Sequence, residues 1–421
     1  MRPLIPSTTM STSPSVGRPR PTWYPSPDHE LLLRVALQRD ERGAQAWHAL
    51  RPRLDLDTLG NDGARLLPLA HRSLVALGID DPDLARMKGL HRHHWYKNQR
   101  LLQQVSPALA ALADAGIPTM VLKGVPLGLT YYEDLGVRPM SDLDLLVPFT
   151  RFREAVGIID PLGFAGDPIT EPALRYFHSR PSVAASGTEI DLHFLVHEAL
   201  GLRGVPAAWA HDFWSVDIGL DEFWSRALPL QVAGVATTAP APEDLLLHVL
   251  VHGSGNDSGA SLRWIADAVT IIDRIGNSLD WDLVVQQAQR RHVGPAVQET
   301  IAYLDDAGFA TIPSATRTAI RSIDITRRDR FVHRLRVDPT IQPGRFKSAR
   351  WATNRFLCAT AQEPLPSALV SLPAFLAWDA QRPGDIPLRM AIRVGRGLRR
   401  AGSRASGRQK LEVAPVVDAC P

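Results

Sequence analysis

The chain has 421 residues, enough for two or three domains, and its 45% hydrophobic and 22% charged content are those of an ordinary globular protein. A net charge of +3 gives no global electrostatic case for nucleic acid, so such a partner is possible but not favoured. No apolar run reaches the ~18 residues a membrane helix needs, and two isolated cysteines, Cys358 and Cys420, fit a reducing, cytoplasmic setting.

Residues 1–27 lack the apolar core of a signal peptide and, rich in Ser, Thr and Pro, read as a disordered leader. From 28 to 116 the spacing is helical. His29–Asp40, Arg65–Gly78 and Leu101–Gly116 each carry apolar residues at helical intervals, the last two ending on a Gly suited to a C-cap. Leu90–Arg100 is basic and aromatic: a solvated helix face or a contact for an anionic substrate.

From 117 to 205 the pattern turns mixed. A strand is expected over 118–122, a helix over 125–134 and a strand over 143–147. A helix over 149–162 follows, then a turn at Gly163-Phe164. Strands over 182–185 and 189–195 face each other across Ser186-Gly187-Thr188, a hairpin signal. Residues 206–325 read as a helical domain, with Pro242-Glu243-Asp244 a favourable helix start. Residues 326–395 are a basic helical or irregular region, and 396–421 a Gly/Arg/Ser-rich disordered tail. There is no internal repeat.

The chemistry concentrates in Val121–Val147. Strand side chains alternate faces, so Asp142 and Asp144 point the same way. Adjacent carboxylates repel unless a cation sits between them, and a divalent metal is the usual one. In Glu189-Ile-Asp-Leu-His193 the same alternation puts Glu189, Asp191 and His193 on one face. Asp191 is then a candidate third ligand, with Glu189 and His193 adjacent. The bland readings are turn or capping roles for the first pair and a solvated strand face for the second. Lys123-Gly124 lies between strand and helix, where backbone N–H groups can meet a phosphate and Lys123 can add charge. It is not a Walker A loop, and a tight turn with an exposed lysine is the alternative. Arg138 is a second candidate for triphosphate contact, and Tyr131 and Tyr132 read as packing residues. His248 and His252 have zinc spacing but no Glu in the HExxH position, and read as structural. Arg263 and Asp267 read as a helix-surface ion pair.

The ordered set LKG…Y…RPMSDLDLLV, a Gly-Phe turn, EIDLHF, PEDLLLHVLVHG and LRWIADAVTII resembles an uncharacterised bacterial nucleotidyltransferase family of the DNA polymerase β-like superfamily, over roughly residues 30–300. The resemblance implies an α/β (α+β) fold: a small mixed sheet flanked by N- and C-terminal helical segments. It implies Mg²⁺ (or Mn²⁺) held by Asp142, Asp144 and Asp191. It also implies transfer of an NMP from an NTP such as ATP to an unknown small-molecule, peptide or protein acceptor, with release of pyrophosphate. Lys123-Gly124 departs from the Gly-Gly or Gly-Ser usual there. Relatives of this kind look like accessories to peptide natural-product clusters, which suggests a tailoring role. The alternatives are an inactive nucleotide-binding scaffold and a γ-phosphotransferase.

Overall fold

The computed structural model of the protein describes residues 20–132, 134–168, 177–197, 220–255, 262–341, 347–360, 369–370 and 372–376. The tail expected at 396–421, Cys420 and residues 1–19 of the expected leader lie outside the described residues.

The leader ends earlier than residue 27. Thr22 donates its backbone N–H to Val337 O at 2.8 Å, and the buried Trp23 ring meets Trp264 and Tyr303 edge-on, with centroids 5.2 and 5.5 Å apart. An indole gains too much by burial to stay in a solvated leader. Helices α1 (Pro27–Leu37), α2 (Glu41–Leu50), α3 (Leu67–Ala76) and α4 (Leu84–Asp114) follow. Ser26 and Asp40 cap the first two, each side chain accepting a first-turn N–H. Gly78 and Gly116, at φ 67° and 65°, end the helical runs as their sequence positions suggest. Helix α4 absorbs the basic Leu90–Arg100 segment and continues through Pro107. Proline has no N–H for Gln103 O, and Ser106 Oγ donates to that carbonyl at 3.3 Å instead.

Among the described residues the sheet has six strands in the order β3-β4-β2-β1-β6-β5. Strand β1 is short (Met120–Val121) and runs antiparallel to β2 (Asp142–Leu146). The helix expected over 125–134 is a turn at Gly124–Pro126 and a π-helical turn at Leu127–Tyr131, with Gly128 inside it. Helix α5 (Phe152–Ile159) then leads to β3 (Ser179–Val183) and β4 (Glu189–His193), the expected hairpin. Strand β4 lies parallel to β2.

The region from 206 is not all helical. Strands β5 (Leu228–Val232) and β6 (Val235–Ala239) form a hairpin, and β6 joins the sheet parallel to β1. Its two-residue turn, Ala233-Gly234, has φ 48° and 85°, the left-handed pair that matches strand twist. Pro229 inside β5 obscured the strand, and it is tolerated because β5 is an edge.

Helices α6 (Pro242–Ser254), α7 (Arg263–Ile275), α8 (Trp281–Arg290), α9 (Gly294–Asp306), α10 (Ser314–Arg321), α11 (Arg327–Val337) and α12 (Lys347–Ala359) follow, with short helical turns at Asp221–Ser225 and Leu372–Leu376. Helices α6 and α7 pack closely at Gly253, where an added Cβ would lie 2.0 Å from Trp264 Cβ. Buried residues of α1–α4, the sheet and α6–α9 make one continuous core. That core holds the central strands rigid, and their carboxyl-bearing edge with them.

Candidate active site

Strand β2 brings Asp142 and Asp144 to one face, while Leu143, Leu145 and Leu146 are buried. The parallel register with β4 sets Asp144 opposite Asp191 and Asp142 opposite Glu189. All four predicted carboxylates therefore gather at neighbouring strands.

The positive charges that balance them come from two residues. Lys123 leaves β1 at φ 47° and ψ −104°, a conformation that L residues rarely adopt, and its Nζ donates to Asp144 Oδ1 at 2.7 Å. His193 is fully buried. Its Nε2 lies 3.1 Å from Asp144 Oδ1 and 3.0 Å from Asp191 Oδ2, and its Nδ1 lies 3.0 Å from Leu195 O. Two carboxyl groups and a carbonyl around the ring favour protons on both nitrogens. Burial works against that charge, but Asp191 and Asp144 outweigh it and raise the imidazole to about 9.

The same contacts sort the carboxylates. Burial disfavours the charge on Asp144, yet Lys123 and His193 beside it hold its carboxyl well below the usual range. Asp142 goes the other way, raised by burial and then by the neighbouring Asp144 charge. Ser141 Oγ donates to its Oδ1 at 2.9 Å. Glu189 is also raised, by burial and then by Asp142. Asp191 Oδ1 is buried with no hydrogen-bond partner. Among the described residues, donor atoms of His178, Asp191 and His193 all lie within 4.8 Å of one another, a possible metal-holding group.

Arg138 is not free to swing into this cluster. Its Nε and Nη2 bind both oxygens of Asp267 at 2.9 and 2.8 Å, in a pair that is buried on both sides. Tyr132 Oη donates to the same carboxylate at 2.8 Å. The surface pair expected between Arg263 and Asp267 is thus replaced: Asp267 faces inward, and Arg263 Nη1 donates to Pro139 O at 2.8 Å. A carboxylate that can take a bidentate guanidinium in the interior does so in preference to a solvated i, i+4 contact. Arg138 Nη1 remains directed at the backbone of Gly124, 3.0 Å from where a Cβ would stand.

Sequence reasoning missed Asn98. It is fully buried on α4, donating Nδ2 to Leu135 O (2.5 Å) and Arg138 O (2.8 Å) and accepting from Met140 N–H at 3.0 Å. It clamps the loop that delivers Asp142. The signal was there: a lone amide on the apolar stripe of Met87, Leu101, Leu102 and Val105. His248 and His252 sit one turn apart on α6. His248 is fully buried, and both are drawn toward His197 behind the carboxylates.

Carboxyl groups gathered on adjacent strands of a mixed sheet are an oxygen-rich set of the kind that suits divalent ions. The family model described as "Uncharacterised nucleotidyltransferase" matches residues 62–306, more than half of the chain, and the protein belongs to that family. It is by family a nucleotidyltransferase, an enzyme of nucleoside-monophosphate transfer. Among solved structures it is similar to the antibiotic-resistance factor ANT(2'')-Ia (13% identity, TM-score 0.31, covering 49% of this chain and 99% of that one). It is also similar to an antigenic nucleotidyltransferase-like protein from Paracoccidioides brasiliensis (15%, TM-score 0.30, 51% and 95%). Both likenesses are weak, and the family assignment rests on the sequence match. No curated protein matches the chain. Among the described residues no helix is long and apolar enough to cross a membrane.

Proposed function

We propose that the protein transfers a nucleoside monophosphate from an NTP to an acceptor hydroxyl or phosphate, with Asp142, Asp144 and Asp191 as its metal-binding carboxylates. The observation that carries this is the β2–β4 register, which pairs Asp144 with Asp191 and leaves Asp142 raised by burial and by its neighbour's charge. The donor set fits Mg²⁺ or Mn²⁺: hard oxygens on rigid strands, with Asp191 Oδ1 buried and unpartnered. Divalent ions bound there supply charge neutralisation for the triphosphate and activation of the attacking oxygen.

The chain's own residues do the rest. Lys123 adds fixed positive charge beside the triphosphate, and Arg138, held by Asp267, adds the charge of its guanidinium at Gly124, whose missing side chain gives that guanidinium room. The acceptor oxygen attacks the α-phosphorus, the bond to the bridging oxygen breaks, and pyrophosphate leaves with those electrons. Asp191 takes the acceptor proton. His193 is a positioning residue: its two N–H groups hold Asp144, Asp191 and the Leu195 carbonyl in one arrangement. The acceptor is a small molecule, peptide or protein.

The test is a thermal-shift titration of wild type and Asp142→Asn with each NTP, with and without Mg²⁺ or Mn²⁺. A ligand that binds only the folded state, at ~100 times its Kd, adds ~2.7 kcal/mol. A shift needing both metal and NTP, lost in the variant, supports the reading, and product analysis with the acceptor then decides the chemistry. Pyrophosphate means nucleotidyl transfer, and NDP means a γ-phosphotransferase. No shift with any NTP means that the acceptor must bind first or that the fold is a retired enzyme.

A further inference from the structure

Behind the carboxylates runs a chain of five imidazoles. His178 stands just before β3, His193 ends β4, His197 follows it, and His248 and His252 sit one turn apart on α6. Ring centroids are 5.3 Å apart from His178 to His193 and 5.7 Å from His178 to His197. His197, His248 and His252 close into a triangle with sides of 6.1, 5.5 and 5.9 Å. Imidazoles sharing one zinc, each with a metal–nitrogen bond of ~2.0–2.1 Å, place their ring centres roughly 5–6 Å apart.

A second observation points to a ligand. His248 is fully buried, flanked by the core residues Leu247 and Val249, and neither of its ring nitrogens has a hydrogen-bond partner. Interior polar groups are almost always paired, and one orphaned at both nitrogens calls for an occupant from outside the chain. His252, half-buried, gives that occupant a way in. Burial, with Lys123 and Arg336 nearby, holds His197, His248 and His252 well below the usual imidazole range, so all three are in the neutral form that binds metal. Their nitrogens do not yet converge. The rings of His197 and His248 meet that of His252 at 84° and 83°, and rotation about Cβ–Cγ, a soft torsion, turns a nitrogen inward with the backbone in place.

We infer that His197, His248 and His252 form a binding site for a borderline divalent transition-metal ion such as zinc, separate from the carboxylate cluster. Nitrogen donors select such ions, while the all-oxygen set of Asp142, Asp144 and Asp191 selects magnesium. The imidazole site ties α6 to the segment leaving β4. It stands whether or not the carboxylates perform the chemistry proposed above.

The probe is Co²⁺, whose ligand-field absorption reports nitrogen coordination. Metal-stripped full-length protein is titrated with Co²⁺ in excess Mg²⁺, in wild type, His252→Gln, His248→Gln, His178→Gln and Asp142→Asn. Wild type is expected to hold one Co²⁺ that Mg²⁺ does not displace and Zn²⁺ does. His252→Gln and His248→Gln are expected to weaken it by about 100-fold or more, while Asp142→Asn leaves it unchanged. Should His248→Gln fail to fold by circular dichroism, His252→Gln decides alone. Three results overturn the inference: no Co²⁺ held against Mg²⁺, equal binding in His252→Gln, or loss in Asp142→Asn. Binding abolished by His178→Gln but kept in His252→Gln also overturns it, and assigns the ion to His178, Asp191 and His193.

Discussion

Lys123 Nζ lies 2.7 Å from Asp144 Oδ1, the carboxylate buried and the lysine half-buried, at the point where β1 ends in a backbone conformation with φ 47°. The lysine supplies the site's internal counter-charge across the strand pair. Losing a partner of a fully buried pair costs about 3–5 kcal/mol, but His193 still faces Asp144 and Lys123 is half-buried, so about 1–3 kcal/mol is expected here. Lys123→Met is therefore expected to lose stability of that order in urea unfolding with chelator present. Added Mg²⁺ should restore part of it by replacing the lost charge. An unchanged unfolding midpoint would show that Lys123 does not neutralise the cluster.

Asp142→Asn should separate folding from activity. The Asp142 carboxyl is raised by burial and by Asp144, so its ionised form is disfavoured in the folded chain. Without metal the variant should melt at or above the wild-type temperature, while NMP transfer falls by about 100-fold or more, as for loss of a metal-site contact. Asp144→Asn is a poorer test, because that carboxylate also answers Lys123 and His193. A metal-free melting point well below wild type would contradict the charge assignment for Asp142.

Arg138 and Asp267 are tied by two hydrogen bonds in the interior, 129 residues apart in sequence. Asp267→Ala should destabilise by about 3–5 kcal/mol. Arg138→Met with Asp267→Leu should recover much of that loss, since no lone charge stays buried. Equilibrium unfolding of Arg138→Met, Asp267→Leu and the double variant closes the cycle. Strict additivity would mean that the two residues are not coupled.

Asn98 carries three hydrogen bonds to the loop before Asp142. Asn98→Leu keeps the branched shape, though it is larger, and strands Arg138 O, Leu135 O and Met140 N–H. Each buried orphan costs about 1–3 kcal/mol, partly relieved by relaxation. Weaker Mg²⁺-dependent NTP binding should accompany the lost stability, read by calorimetry below the melting transition. Binding equal to wild type would limit Asn98 to a folding role.

Acid should loosen the start of α11. Thr326 and Asp329 form a reciprocal capping box, and His292 Nδ1 lies 3.3 Å from Asp329. Burial opposes the Asp329 charge, but His292 and Thr326 win and hold the carboxyl below its usual range. A depressed carboxyl stabilises above its unfolded value and loses that contribution as pH falls through its folded one. Wild type should thus lose stability on acidification across the carboxylate range more steeply than Asp329→Asn. Parallel pH profiles for the two proteins would remove Asp329 from the account.

How much was legible differs from residue to residue. The alternation in DLDLL and EIDLH, and the hairpin turn at Ser186-Gly187-Thr188, are local and were readable. The β5–β6 hairpin was not: Pro229 masks its first strand, and Ala233-Gly234 is a weak turn signature. Asn98 was readable in principle as a polar residue on an apolar stripe. Arg138 was picked out for its charge, but its engagement by Asp267 has no local trace.

By itself the sequence determined which side chains share a face, because strand and helix periods are properties of the local backbone. It placed Asp142 with Asp144, and Asp191 with His193, before any packing. Only the tertiary structure decided that β2 and β4 run parallel in the register that sets Asp144 against Asp191. The same holds for the protons on both His193 nitrogens, for Arg138's engagement by Asp267 and for the gathering of His197, His248 and His252. Those outcomes depend on contacts between segments far apart in the chain, and on the loss of water around charges once they meet, neither of which a local pattern contains.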